Sequence, residues 1–178
     1  MRIWNPIPFA FYNCGMSENA LHTQSESPEE TEAVGFAMAS IVQPGSVIAL
    51  YGDLAAGKTC FVRGLARGLN VQEPVSSPTF TIVNEYHGTQ TVFHLDLYRL
   101  TTVGEIYDLG YEELFDGPPG ICVIEWAERA EGLLPSERVD VRFEHMGEDV
   151  RRISIESHGA SLTDGWLAEL RAQFPQES

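Results

Sequence analysis

Residues 51–60 read YGDLAAGKTC, and this stretch decides the fold. Within it, residues 52–59 match the pattern G-x-x-x-x-G-K-[ST] at every specified position. In that pattern the backbone N–H groups of the loop wrap a polyphosphate, and glycines allow the close approach. The lysine reaches the β- and γ-phosphates, and the hydroxyl that follows it holds Mg²⁺. The sequence therefore predicts that Lys58 binds phosphate and that Thr59 binds the metal.

The segments on either side of the loop fit the context that this pattern requires. Val47 to Tyr51 is a short apolar run typical of a buried strand, and apolar residues at helical spacing follow Lys58 to about Asn70. At average residue usage, a chance match in a chain of 178 residues has a probability on the order of half a percent. The alternative is a glycine-rich strand-to-helix turn that carries a lysine by chance, and the rarity of a chance match disfavours it.

Lys58 is the only lysine of the chain, which has ten arginines. A compact ammonium on a flexible stem fits between phosphates in a tight loop, whereas a planar guanidinium suits surface ion pairs. A single lysine also excludes the Asn-Lys-x-Asp segment with which proteins resembling small GTPases read guanine. Adenine is therefore favoured as the base of the nucleotide.

The composition is that of an acidic globular protein, with 43% hydrophobic residues and a formal net charge of −15. Such a charge repels phosphate backbones, so we expect no broad direct contact with RNA or DNA. The sequence has no apolar run of the roughly 20 residues that a membrane span needs. Its three cysteines form no CxxC motif, as expected for free thiols in a reducing compartment. We expect a cytoplasmic protein.

The chain reads as a disordered N-terminal extension over residues 1–26, within which Met16 is a candidate for the true start, followed by one α/β domain over residues 27–178. Ser27 and Glu30 form a capping box around Pro28, which predicts a helix to about Val42. The other predicted elements are the strand Val47 to Tyr51, the helix from Lys58, a hairpin of Thr79 to Tyr86 and Thr91 to Leu97, a helical segment over 102–115 interrupted by Gly110, the strand Ile121 to Ile124, the strands Val139 to Glu144 and Val150 to Glu156, and a closing helix from Leu162 to Phe174.

A nucleotide site also needs a carboxylate at the end of a buried strand beside the loop strand, to position the metal. Two acids qualify, because VFHLD ends in Asp96 and ICVIE ends in Glu125. Aspartate is the more usual residue type, whereas Glu125 ends the more apolar strand. The residues alone leave the choice open. His94, in the same strand as Asp96, is interpreted as a hydrogen-bonded sheet histidine rather than a metal ligand.

Five segments, taken together, resemble the bacterial TsaE family of ATPases, which is required to make threonylcarbamoyladenosine in tRNA. They are GDLAAGKT (52–59), VSSPTFTIVNEY (75–86), HLDLYRL (94–100), GYEELF (110–115) and ICVIEWAERAEGLLP (121–135). They extend the resemblance over roughly residues 28–156, and SPTFT, HLDLYR and IEW at these intervals are more specific than the phosphate loop alone.

The resemblance implies a P-loop NTPase-like fold, a three-layer α/β sandwich around a mixed sheet, that hydrolyses ATP with Mg²⁺. It implies that Glu125 joins Thr59 at the metal, that Asp96 is a second essential acid near the γ-phosphate, and that Thr79 lies in a mobile segment that senses the nucleotide. The catalytic residues would then be Lys58, Asp96, Glu125 and Thr79. The nucleotide-binding residues would be Gly52, Asp53, Leu54, Ala55, Ala56, Gly57, Lys58, Thr59, Cys60, Thr31, Trp126 and Arg152.

The chain departs from the family pattern at two loop positions. Ala55 stands where the family usually has glycine, which matters if that position needs φ > 0. Cys60 replaces a usual threonine or serine, and as part of an apolar run it also reads as a small core residue. Arg151 and Arg152 are both candidates for an arginine near the nucleotide, because the register of the last hairpin is open.

By the family pattern, this ATPase is weak alone and does not itself modify tRNA. It associates with TsaB and TsaD, its hydrolysis resets that complex between turnovers, and tRNA is reached only through the complex. The alternative is a small-molecule kinase that uses ATP. Such a kinase usually has an arginine-rich lid, whereas Arg129, Arg138 and Arg142 are dispersed.

Overall fold

The computed structural model describes residues 20–115, 119–159 and 162–174. Within these ranges the strands are β1 (Ala20–Ser25), β2 (Val47–Tyr51), β3 (Val83–His87), β4 (Thr91–Asp96), β5 (Ile121–Glu125), β6 (Arg138–His145) and β7 (Arg151–His158). The helices are α1 (Pro28–Met38), α2 (Lys58–Gly68), α3 (Val103–Tyr107), α4 (Glu112–Phe115) and α5 (Trp166–Gln173), and a 3₁₀ turn spans Ala127–Ala130.

The strands form one mixed sheet in the order β1-β7-β6-β2-β5-β4-β3. Its centre is parallel, because β2 pairs in parallel with both β5 and β6, and β5 pairs in parallel with β4. The outer pairs, β1 with β7, β6 with β7 and β3 with β4, are antiparallel. The loop strand β2 therefore lies in the middle, with β5 immediately beside it.

Two apolar cores, one on each face of the sheet, give the three predicted layers. On one face, α1, α2 and α5 contribute side chains such as Met38, Phe61 and Leu170. On the other face, Ile106 of α3 and Phe115 of α4 pack with alternate residues of β2 and β5. Because strand side chains alternate between faces, His94, Asp96 and Glu125 fall on the α2 side of the sheet. The predicted α/β sandwich around a mixed sheet is confirmed.

The N-terminal boundary of the domain was predicted too late in the chain. Residues 20–25, placed in a disordered extension, form β1, which pairs with β7 from Ala20↔Glu156 to Ser25↔Arg151. Leu21 is fully buried in the core on the α2 face, and Thr23 and Ser25 are buried as well. The prediction for residues 1–19, Met16 included, falls outside the described residues.

Other element boundaries shift for local reasons. Helix α1 ends at Met38 instead of Val42, and the last helix begins at Trp166 instead of Leu162. Val42 and Leu162, which were predicted to be helical, pair with each other in an isolated β-bridge. Residues 79–82 are a turn rather than strand, because the N–H groups of Thr81 and Ile82 both donate to the carbonyl of Pro78. The segment over 102–115 is two short helices separated at Gly110, whose φ is 65°.

Replacing Leu21 by alanine tests whether β1 belongs to the folded domain. We expect L21A to lower the free energy of unfolding by about 2–5 kcal/mol, because it leaves a cavity in the core. The matched control is Q24A, at an exposed position of the same strand, which should change stability by less than about 0.5 kcal/mol. Urea unfolding followed by circular dichroism measures both variants. A stability of L21A equal to that of wild type would show that β1 contributes nothing to the fold.

Candidate functional site

The loop between β2 and α2 needs glycine at both of its ends. Gly52 and Gly57 have φ values of 142° and 109°. A Cβ at Gly52 would lie 2.7 Å from the backbone oxygen of Phe143, and one at Gly57 would lie 3.3 Å from Cγ2 of Thr31. Thr31, predicted as a nucleotide contact, is thus a buried residue of α1 that packs behind the loop, and its hydroxyl bonds to that of Ser25 at 2.8 Å.

The residues between these glycines differ in exposure and backbone conformation. Asp53 and Leu54 are on the surface, Leu54 with 69% of its area exposed, whereas Ala56 is buried in the core. Ala55 has φ of 61°, in the left-handed region. The condition under which alanine would be unfavourable at this position is therefore met.

Lys58 is buried and its ammonium is held by its own loop. Nζ donates to the carbonyl oxygens of Gly52 (2.5 Å) and Asp53 (2.9 Å), and it lies 3.9 Å from the centre of the Trp126 ring. Burial lowers the pKa of Lys58, while nearby carboxylates, Glu125 foremost, act in the opposite direction. A desolvated ammonium at the N-terminal end of α2 is suited to bind a polyanion.

Glu125 and Asp96 end neighbouring parallel strands and are paired across them in the register of β4 and β5. Both are 3% exposed. Thr59 Oγ1, in the first turn of α2, donates to Glu125 Oε1 at 2.8 Å. Spacing alone did not distinguish the two acids. In the structure, Glu125 is the acid whose carboxylate bonds to the hydroxyl of Thr59.

The donor set around Thr59 and Glu125 fits a magnesium ion. Mg²⁺ prefers oxygen ligands and is commonly bound by one or two carboxylates together with substrate phosphates and water. Thr59 Oγ1 and the Glu125 carboxylate thus fit part of the oxygen shell that Mg²⁺ prefers. Within residues 20–115, 119–159 and 162–174, no group of three His, Cys, Asp or Glu side chains could hold a metal.

Asp96 holds the segment 76–82, which contains the SPTF motif. Its Oδ2 accepts from the hydroxyls of Ser77 (2.5 Å) and Thr79 (2.6 Å), and its Oδ1 accepts from the N–H of Tyr98 (2.9 Å). Phe80, in the same segment, is 87% exposed, and the Arg99 guanidinium lies over its ring. Thr79 and Asp96, predicted separately, are therefore in direct contact.

Trp126 follows Glu125 and closes one side of the site. Its φ of 60° turns the chain sharply out of β5 into the 3₁₀ turn. Its ring packs against Tyr98 with a centroid distance of 4.9 Å, in addition to its contact with Lys58. The conformation and both contacts place the indole beside the loop lysine.

Two other predicted nucleotide contacts lie differently. Cys60 is half-buried in α2 with its Sγ 3.0 Å from the Arg63 guanidinium, and burial raises the pKa of its thiol. Arg152 forms an ion pair with Glu144 at 3.3 Å, on the face of the sheet opposite α2. Arg151 takes the α2 face, where its charge acts on the Cys60 thiol. The alternation of β7 thus brings Arg151, rather than Arg152, to the side of the loop helix.

Sequence reasoning missed three contacts of the site. His94 is confirmed as a hydrogen-bonded sheet histidine, but its partner is Glu125, with Nε2 2.9 Å from Oε1. Ser77 joins Thr79 on Asp96, and Tyr98 packs on Trp126. One signal was available, since His94 and Asp96 are two residues apart on a predicted strand and so share a face.

A family model for the threonylcarbamoyl adenosine biosynthesis protein TsaE matches residues 25–153. The chain belongs to the TsaE family. Its matched region begins at the end of β1 and includes the phosphate loop, both acids and β6. The resemblance drawn from the five sequence segments is therefore confirmed.

Individual TsaE relatives agree with this assignment. The tRNA threonylcarbamoyladenosine biosynthesis protein TsaE of Treponema pallidum is 43% identical over 131 residues, which is 74% of this chain and 96% of that protein. The protein of the same name from Bacillus subtilis is 42% identical over 140 residues, 78% of this chain and 87% of the relative. The crystal structure of YdiB from Bacillus subtilis superposes with a TM-score of 0.71 at 35% identity, covering 86% of this chain and 95% of YdiB. The fold is thus that of a TsaE protein and is P-loop NTPase-like.

In the part of the chain that the structure describes, no helix has the length and apolar character needed to cross a bilayer.

Replacing Ala55 by glycine should stabilise the protein. The left-handed conformation destabilises a residue with a Cβ by roughly 1–2 kcal/mol. Glycine avoids this strain, but its greater freedom in the unfolded chain lowers the stability of the fold by about 0.5–1 kcal/mol. We therefore expect A55G to raise the free energy of unfolding by up to about 1 kcal/mol in urea titrations. The control is A56G, which should be destabilising because Ala56 is buried and its φ is not positive. A loss of stability in A55G would contradict the strain argument.

Removing the two hydroxyls on Asp96 should release the segment 76–82. Hydrogen bonds to a charged group contribute about 1.5–3 kcal/mol each, so S77A/T79V should speed amide hydrogen exchange in this segment more than about tenfold. The control T81V removes a hydroxyl from the same segment that bonds to Asn84 Oδ1 instead of Asp96. Exchange measured by mass spectrometry should change far less in T81V. Equal exchange in both variants would mean that Asp96 does not tether the segment.

Proposed function

We propose that this TsaE protein is the Mg²⁺-dependent ATPase subunit of the machinery that makes threonylcarbamoyladenosine at position 37 of tRNA. The observation that carries the proposal is the bond from Thr59 Oγ1 to Glu125 Oε1 beside a buried loop lysine. This arrangement combines a phosphate cradle, a cation and a metal-facing acid in one place. The family assignment supports the pathway, and the geometry of the site supports the chemistry.

The residues of the site divide the work of binding and hydrolysing a nucleoside triphosphate. The N–H groups of residues 52–59 and the N-terminal end of α2 would bind the phosphates, with Lys58 as the cation beside them. Thr59 and Glu125 would hold a magnesium ion, which would neutralise charge on the phosphates. Trp126 limits the space around the lysine and excludes water from that side. Adenine is the proposed base because the chain lacks the second lysine of the guanine-reading motif.

Asp96 is the proposed link between the nucleotide and the surface. It lies next to Glu125 in the sheet and binds Ser77 and Thr79 of the segment 76–82. If nucleotide binding moved the end of β4, the segment that exposes Phe80 would therefore move with it. We propose that this coupling lets the bound nucleotide control how partner proteins dock.

TsaB and TsaD are the proposed partners, and ATP hydrolysis is proposed to reset their complex between turnovers. The protein alone would hydrolyse ATP weakly, because docking completes the site. The net charge of −15 supports a role beside tRNA and not on it, with tRNA held by the other subunits. The proposed compartment is the cytoplasm, where tRNA and a reducing environment for the free thiols Cys60 and Cys122 are both found.

Steady-state ATP hydrolysis by wild type, K58A and E125A, each alone and with a TsaB–TsaD preparation, tests the proposal. We expect partners to raise wild-type turnover, and both variants to lose about 100-fold or more of the stimulated rate, since each removes charge stabilisation of the transferring phosphoryl group. The control E85Q changes an exposed acid of β3 and should hydrolyse ATP like wild type.

The same assay separates the parts of the proposal. Wild-type turnover that ignores the partners would remove the proposed role in resetting them. Loss of activity in E85Q as large as in E125A would remove the special role of Glu125. Hydrolysis that instead depends on an added metabolite and gives a phosphorylated product would make the protein a small-molecule kinase.

A further inference from the structure

His94 lies behind the proposed metal site without reaching it. It is fully buried in β4, on the same face as Asp96. Its Nε2 is 2.9 Å from Oε1 of Glu125, whereas its Nδ1 is buried and bonds to no residue that the structure describes. The Tyr86 ring lies tilted to the imidazole, with centroids 6.3 Å apart.

The contacts of the ring determine which nitrogen carries the proton. An ionised carboxylate only accepts hydrogen bonds, so the contact with Glu125 requires a proton on Nε2. A proton on Nδ1 would bury a donor with no acceptor, which is costly, whereas an unused lone pair on Nδ1 costs less. The favoured form is thus the neutral ring with hydrogen on Nε2.

Glu125 Oε1 accepts two hydrogen bonds, one from His94 Nε2 and one from Thr59 Oγ1 at 2.8 Å. Two donors that approach one oxygen from β4 and from α2 fix the rotation of the carboxylate. Neither bond involves Oε2, which stays available to a metal ion. Because the Thr59 hydroxyl donates its proton to Glu125, the lone pairs of its oxygen are also available to a metal. A glutamate with three side-chain torsions would otherwise sample several orientations.

We propose that His94 is a positioning residue, whose Nε2–H holds Glu125 in the orientation in which it serves a magnesium ion together with Thr59. The inference deepens the proposed function and rests on it for the identity of the ion. Groups that orient metal ligands in this way typically change metal affinity by 10–100-fold when they are removed. In this role His94 acts through Glu125 and is not itself a ligand of the ion.

The test replaces His94 by glutamine or by asparagine, whose side chains differ in length by one bond. In glutamine the amide nitrogen is four bonds from Cα, as is Nε2 of histidine, whereas in asparagine it is one bond closer. H94Q therefore keeps a donor within reach of Glu125 Oε1, while H94N and H94L do not. H94L and H94N both lose the hydrogen bond to Glu125, but one replacement is apolar and the other is polar. An effect that both variants share is therefore due to the lost bond and not to a packing defect.

The readout is the Mg²⁺ concentration that gives half-maximal binding of a fluorescent, non-hydrolysable ATP analogue. We expect this concentration to rise roughly tenfold or more in H94L and H94N and to stay within about threefold of wild type in H94Q. Binding of the analogue in EDTA should be equal in all four proteins. The inference is overturned if H94L and H94N keep the wild-type requirement, or if H94Q loses it as they do.

A second readout needs no metal and no nucleotide. Long-range ¹H–¹⁵N correlation spectra of the wild-type protein should show His94 protonated at Nε2 and unprotonated at Nδ1, with the assignment made from H94Q. A proton on Nδ1 alone would overturn the inference. Failure of the proposed function would give a different result. Wild type would then bind the analogue independently of Mg²⁺, while the His94 ring would still have the expected tautomer.

Discussion

The bond between Thr59 and Glu125 is the contact on which the rest of the site depends. It joins the first turn of the loop helix to the end of β5, and it exists only because β2 and β5 are parallel neighbours in the middle of the sheet. Parallel neighbours bring their carboxyl ends to one edge, so the loop that leaves β2 and the acid that ends β5 meet there. The buried apolar centre of the sheet then keeps both groups at a fixed distance.

From that contact the site extends sideways along the sheet. β4 is the next parallel strand, and it places His94 against Glu125 and Asp96 beside it. Asp96 in turn holds Ser77 and Thr79. Two hydrogen-bonded groups of side chains therefore lie side by side at this edge of the sheet. Thr59, Glu125 and His94 form one, and Asp96 with Ser77 and Thr79 forms the other, next to the exposed Phe80. Two buried acids side by side are costly unless their oxygens are bonded. Here hydroxyl groups, the His94 ring and the N–H of Tyr98 provide those bonds.

The sequence predicted those parts of the fold whose causes are local. Strand β2, the phosphate loop and α2 follow from a pattern of eight residues and its apolar flanks. Strand β1 was missed because ALHTQS has no strong strand signal of its own, and its pairing partner is β7, far along the chain. The run from Thr79 to Ile82 was predicted as strand from its β-branched residues, but contacts with Asp96 and Pro78 make it a turn. Tertiary contacts override propensity at both places.

Register explains the remaining differences in the site. Adjacent residues of a strand point to opposite faces, so a single position decides whether an arginine lies with the loop helix or away from it, as for Arg151 and Arg152. The partner of His94 likewise depends on how β4 and β5 are aligned, which no single strand encodes. Residue types and spacing could nominate Asp96 and Glu125, but only the alignment of three strands distinguishes their contacts.

The single lysine now has a structural reason in addition to its motif. An ammonium has three N–H donors, and in Lys58 two of them are used by the carbonyls of Gly52 and Asp53. The Trp126 ring lies 3.9 Å from the same nitrogen. A planar guanidinium, with five donors in a fixed fork, would leave several of them unpaired in this small buried space. Under the proposed function the third N–H of Lys58 would donate to a phosphate oxygen, and a bound anion would offset the burial that lowers the pKa of this lysine.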